Sequence, residues 1–246
     1  MGKLVTAIFK ILLYFHLTFT ALPLVFYLLF KRKSKDKALR VVLFYIIYCI
    51  INEAINFYLQ AIIHTRDVTL LFPLFTIAEY TFFCFFLYCV FQEKNIKKLV
   101  SVVWAVFLIF AFIDYTLLSK GQEFDSFTSG IESILVIFLC IYYLYTELKG
   151  STNLTIYTTF NFWVVVTFLI YFCGTFFLYI MAESMRESVT FQKQYFVINI
   201  FFNILKNTLL CVAMTMKLNK RVNEQKSIIP DLDDDLFIHN TINSPD

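Results

Sequence analysis

A chain of 246 residues that is 59% hydrophobic and only 16% charged falls outside the range of soluble globular domains, which run near ~45–50% apolar and about 25% charged. Its net charge of +3 is too small to mark a nucleic-acid binder, and the lysines gather at the ends of apolar blocks. No GxSxG serine, paired-aspartate motif or cofactor fingerprint is present, which argues against an enzyme.

The apolar residues come in long unbroken runs. A run of about 18 or more crosses a ~30 Å hydrocarbon core as a helix, whereas a transmembrane barrel shows alternating segments of about ten residues. The expected fold is therefore all-α: a polytopic membrane protein of seven transmembrane helices. Helix 1 covers Leu4–Phe30. It is too long for a signal-peptide core of ~7–15 residues, and a bend is expected near Pro23. The basic run Lys31–Lys37 ends it. Helix 2 is expected over Leu39–Ile63, with a turn at His64–Thr69. Helix 3 follows over Leu70–Phe91, then a connection at Gln92–Lys98 and helix 4 over Leu99–Leu118. A polar loop, Ser119–Ser129, leads to helix 5 over Gly130–Tyr145. After a turn at Glu147–Asn153, helix 6 is expected over Leu154–Met181. The polar loop Ala182–Gln194 precedes helix 7, Tyr195–Met216.

Lysine and arginine in short loops set the orientation, because the richer side stays in the cytoplasm. Lys31, Arg32, Lys33, Lys35, Lys37, Arg40, Lys94, Lys97, Lys98 and Lys149 fall on one side with the tail. The N-terminus is thus expected outside and the C-terminus inside. Lys3 and Lys10 oppose this weakly. Residues 1–216 would form the bundle and 217–246 a cytoplasmic, largely disordered tail, too short and polar to fold alone. A cytoplasmic protein partner could dock on the tail through Leu232, Leu236, Phe237 and Ile238. The bilayer itself is the other expected partner, in a cell membrane read as a bacterial inner membrane. No nucleic acid is expected.

The six cysteines all lie inside apolar blocks and none has CxxC spacing, so neither a disulfide framework nor a thiolate metal site is expected. His16, His64 and His239 fall in different compartments and cannot share one zinc ion. No metal is expected. Only Gly174 lies deep in a span, without GxxxG spacing, so phenylalanines and tyrosines must fill the gaps between helices. Tyrosine hydroxyls in mid-span need partners, which makes them candidates for an internal polar network.

Ionisable groups at mid-bilayer cost roughly 2.5–3.5 kcal/mol each on the insertion scale, so each is a functional candidate. Glu53, Glu79 and Lys206 lie near the middles of helices 2, 3 and 7, with His16 at similar depth in helix 1. Asp114 and Glu132 lie near helix ends, where water is expected to reach them. Cys49, Asn52, Glu53, Asn56 and Gln60 recur at helical spacing along one stripe. Asn199, Asn203, Lys206 and Asn207 do so on helix 7, and Thr76, Glu79 and Tyr80 on helix 3. Such stripes face protein or water, so Glu53, Glu79, Lys206, Asn52, Asn56, Asn203 and Asn207 are the expected ligand or proton site. Two carboxylates facing one ammonium oppose each other. One glutamate is expected to pair with Lys206 and the other to exchange a proton. The bland reading is that the pair merely fastens the bundle. His16, a lone histidine on an otherwise apolar helix, reads as a neutral, hydrogen-bonded core residue.

A lysine midway along the seventh helix resembles, in placement alone, the Schiff-base lysine of retinal proteins. The run Asn203-Ile204-Leu205-Lys206-Asn207 lacks the small and acidic neighbours of those proteins, and helix 3 lacks their aspartate–tryptophan pattern. No retinal on Lys206, and no other cofactor, is expected. The functional expectation is a receptor-like or sensory multi-pass membrane protein with a polar intramembrane site. The alternatives are a small proton-coupled transporter using the same carboxylates or a non-catalytic scaffold subunit.

Overall fold

A computed structural model describes residues 2–31, 34–59, 71–118, 126–150, 154–185 and 189–218. Side chains are described from residue 14 onward in the first helix. Among these residues the chain forms seven α-helices: α1 (Gly2–Phe30), α2 (Lys37–Tyr58), α3 (Leu71–Val90), α4 (Lys94–Ile113), α5 (Ser126–Gly150), α6 (Phe160–Met185) and α7 (Val189–Thr215). A π-helical turn, Asp114–Leu118, extends α4, and a 3₁₀ turn, Leu154–Thr158, leads into α6. Six stretches are long and apolar enough to cross a membrane: Lys37–Tyr58, Phe72–Val90, Lys94–Thr116, Phe127–Lys149, Phe160–Met181 and Gln194–Thr215. Only helices and closed barrels satisfy every backbone group within lipid. The chain is a helical multi-pass membrane protein.

Several boundaries differ from the sequence reading. α5 starts at Ser126 rather than Gly130 and runs on to Gly150, and α7 starts at Val189 within the stretch read as a polar loop. α6 starts only at Phe160, because Leu154–Thr158 winds as a 3₁₀ turn. Helices can continue past the apolar core as long as each residue adds a hydrogen bond. Hydropathy alone therefore misplaces their ends. α1 runs unbroken through Pro23. The turn His64–Thr69, Gln60 and the tail beyond Leu218 lie outside the described residues.

α1 packs on α2 and α7, α7 on α6, α6 on α5, α5 on α3, and α3 on α2. Six helices thus close a ring, and α4 leans on α3 from outside it. The sequence of α4 accounts for this position. Its residues Val102, Val106, Ile109 and Phe112 are exposed apolar side chains with no protein to cover them, as suits a helix facing acyl chains. Inside the ring, aromatic rings fill the space: Tyr45 packs on Phe168 (centroids 5.4 Å apart) and Phe168 on Phe83 (4.9 Å). The lone mid-span glycine has a specific use. A Cβ at Gly174 would stand 2.0 Å from the Phe202 ring, so α6 and α7 meet with that ring seated on the glycine.

The end of the bundle that carries the basic residues is tied by backbone. Phe160 N donates to Lys217 O (2.8 Å), and Lys217 N donates to Thr158 O (3.0 Å). Lys31 Nζ donates to Met216 O (2.5 Å). Three helix ends, those of α1, α6 and α7, are latched there, and carbonyls left over at the end of α7 find donors.

Candidate functional site

Lys206 of α7 points into the ring and is buried, with 2% of its surface exposed. Its ammonium donates to Glu79 Oε1 on α3 (2.9 Å) and to Tyr45 Oη on α2 (2.7 Å). The Tyr45 hydroxyl donates to the same Glu79 oxygen. Glu79 is 3% exposed. The ammonium also stands 4.0 Å from the centroid of the Tyr171 ring on α6, and within 6 Å of the Tyr45 and Phe75 rings. Four helices converge on one cation.

The depth of this assembly follows from helix rise. Lys206 lies nine residues before Thr215, and Tyr45 eight residues after Lys37. At about 1.5 Å per residue both stand roughly 12–14 Å from the basic end, near the middle of a ~30 Å core. A charge buried there without a partner is costly; with good geometry and every hydrogen-bonding position used, the cost is offset.

A second cluster adjoins the first. His16 Nδ1 of α1 is 3.6 Å from Glu53 Oε2 of α2, with the Glu53 side chain 28% exposed. Thr20 Oγ1, one turn along α1, donates to His16 O (3.0 Å), and Asn207 Nδ2 donates to Thr20 Oγ1 (3.4 Å). His16 and Glu53 both lie within electrostatic reach of Lys206. Because Lys206 and Asn207 are adjacent in sequence, α7 bridges the two clusters.

The expected site is therefore assembled in part. Lys206 and Glu79 meet. Glu53 does not join them but faces His16, a core histidine whose Nδ1 lies against that carboxylate. Asn207 reaches Thr20 on α1, and Asn203 turns back on its own helix, its Nδ2 3.0 Å from Asn199 O and Oδ1. Asn52 is buried and Asn56 half-buried on α2, and neither is a hydrogen-bond partner of Lys206 or Glu79. Tyr80 leaves the helix 3 stripe outward, its ring 4.1 Å from Phe107 of α4. Two residues that complete the centre, Tyr45 and Tyr171, belong to the mid-span tyrosines whose hydroxyls need partners. Tyr45 lies four residues before Cys49 and so extends the helix 2 stripe by one turn. Tyr171 likewise sits between Thr167 and Thr175, four residues to either side on one buried face of α6.

Asp114 and Glu132 are also placed differently from expectation. They are 3% and 2% exposed, not open to water. For Asp114 the early start of α5 explains it: Thr128 is already helical and donates to Asp114 Oδ2 (2.5 Å). One residue on, Ser129 Oγ shares a hydrogen bond with Thr76 Oγ1 of α3 (3.2 Å). A polar seam thus runs from the π turn through α5 to α3.

Comparison with known proteins adds no identity. No family model matches the chain, and no curated protein or solved structure is significantly similar to it. Among the described residues no group of three His, Cys, Asp or Glu side chains is placed to hold a metal ion, and no disulfide joins the six cysteines. His64 and His239 lie outside the described residues.

Proposed function

We propose that the chain is a receptor-like or sensory protein whose stimulus, a proton or a small polar ligand, acts on the buried Glu79–Tyr45–Lys206 centre. It would cross the membrane seven times, N-terminus out and C-terminus in the cytoplasm. Helical spans suit an inner rather than an outer bacterial membrane, where barrels prevail. The observation that carries the reading is the convergence of α2, α3, α6 and α7 on Lys206. Apolar residues of similar volume fasten a bundle as well as a buried ion pair does. A mid-bilayer pair is better suited to a two-state element, closed in one state and opened in the other. The path to the cytoplasm is short. A shift of α7 at Lys206 reaches the latch at Met216 and Lys217, from which the tail leaves.

Trp163 can report on that latch, since its Nε1 donates to Tyr157 O (2.8 Å) in the turn before α6. In nanodiscs, with Trp104→Phe removing the other tryptophan, its fluorescence should follow a pH step across roughly 4 to 8, a range that reaches ordinary carboxylate titration. The doubly changed protein Lys206→Met/Glu79→Gln should stay folded and silent. An equal response from that variant would refute the centre as the receiver, and a silent parent would refute the proton as stimulus. Sustained proton uptake into liposomes would favour the proton-coupled transporter instead. The closeness of the Lys206–Glu79 pair also favours a scaffold subunit, for which the double variant would work as well as the parent.

A further inference from the structure

The outward face of α3 and α4 carries a groove of about 370 Å³ lined by Cys84, Phe85, Tyr88, Val100, Ser101 and Trp104. That volume lies in the ~300–1,000 Å³ range of sites for small molecules. The groove exists because Cys84 and Ser101 are small where the two helices face each other and their neighbours are large. Trp104 cannot swing in to fill it. Its Nε1 is held on Thr81 Oγ1 (3.1 Å) and its ring stands edge-on to Phe85 (6.2 Å).

One end of the groove is cationic. Lys94, Lys97, Lys98 and Ser101 recur at spacings of three and four and share one face at the start of α4. Lys97 Nζ stands 5.2 Å from the centroid of the Tyr88 ring, which lines the groove. Lys94 and Lys98 are exposed beside it. Glu93, also exposed, is the acidic residue nearest in sequence and leaves this end with a positive balance. Because α4 lies outside the ring, the apolar body of the groove opens toward acyl chains while its lysines lie at the basic end of the bundle.

From this complementarity we infer that the α3–α4 groove is a binding site for one anionic phospholipid. An acyl chain lies between Cys84 and Trp104, and the phosphate is held by Lys94, Lys97 and Lys98. A zwitterionic lipid brings its own cation against these ammonium groups and is held less well. Juxtamembrane lysines draw anionic headgroups in this way.

Native mass spectrometry of the full chain, released from nanodiscs of equal phosphatidylcholine and phosphatidylglycerol, tests the assignment. Phosphatidylglycerol should be retained over phosphatidylcholine by about ten-fold, the scale that a cluster of interfacial lysines supports. Lys94→Gln/Lys97→Gln/Lys98→Gln, changes confined to the helix surface, should bring the ratio toward one with the fold intact. Ser101→Trp should remove the bound lipid while leaving the lysines in place. Equal retention of both lipids by the parent, or a preference that survives the lysine changes, would overturn the inference. So would a folded Ser101→Trp protein that still holds the lipid.

Discussion

The ammonium of Lys206 stands 4.0 Å from the centroid of the Tyr171 ring while it donates to Glu79 and Tyr45 on the side of α2 and α3. The cation is therefore bounded by a π face on one side and by oxygen acceptors on the other. Each neighbour comes from a different helix, so the energetics of the centre and the packing of the ring are coupled.

The pairing of Lys206 with Glu79 rather than Glu53 leads to the first prediction. Lys206→Met alone strands a buried carboxylate and should lower stability by roughly 3–5 kcal/mol. Adding Glu79→Gln should recover most of that loss, and adding Glu53→Gln should not. Thermal unfolding of the three proteins in mild detergent checks this. Equal rescue by the two glutamine changes would show that Lys206 is shared between the carboxylates.

Tyr171 contributes through its ring. Tyr171→Phe keeps the π face over the ammonium, and its loss should be limited to a hydroxyl's worth, about 1 kcal/mol. Tyr171→Leu should cost about 2 kcal/mol more, the scale of a desolvated cation–π contact. Should the two variants unfold at the same temperature, the ring would be acting as bulk only.

Gly174 makes room for Phe202. Gly174→Val should force the ring off α6 and cost roughly 1–3 kcal/mol, as overpacking does. Combined with Phe202→Ala, the same valine should cost much less than alone. A double-mutant cycle on unfolding in detergent measures the coupling, and additive losses would mean that the ring simply rotates aside.

Orientation has its own test. With the basic end in the cytoplasm, cysteine introduced at Ser126 should react with an impermeant thiol reagent from outside intact cells. Cysteine at Ser34 should react only after the membrane is opened. Reversed labelling would invert the orientation and place the α1–α6–α7 latch on the outside.

Much of the site could be read from the sequence because burying an ionisable residue in mid-span is costly enough to be conspicuous. Glu79 and Lys206 stood out for that reason, as did Glu53. Tyr45 and Tyr171 were legible only as members of a class, mid-span tyrosines whose hydroxyls need partners, because nothing in an aromatic-rich span says which ring meets a charge. The burial of Asp114 is not legible in the sequence, because it depends on where α5 begins, and hydropathy does not mark that point.

The sequence by itself determined the class of the molecule. Long uncharged apolar runs leave a helix as their low-energy state in lipid, and helical spacing determines which residues share a face of any one helix. Nothing in that spacing says which face meets which neighbour. The tertiary structure alone decided that α4 stands outside the ring, that His16 faces Glu53, and that α7 turns Lys206 toward Glu79. These outcomes depend on how bulky rings such as Phe168 and Phe202 interlock. Interlocking is a property of pairs of helices, set by shape at close packing, and one chain read residue by residue does not contain it.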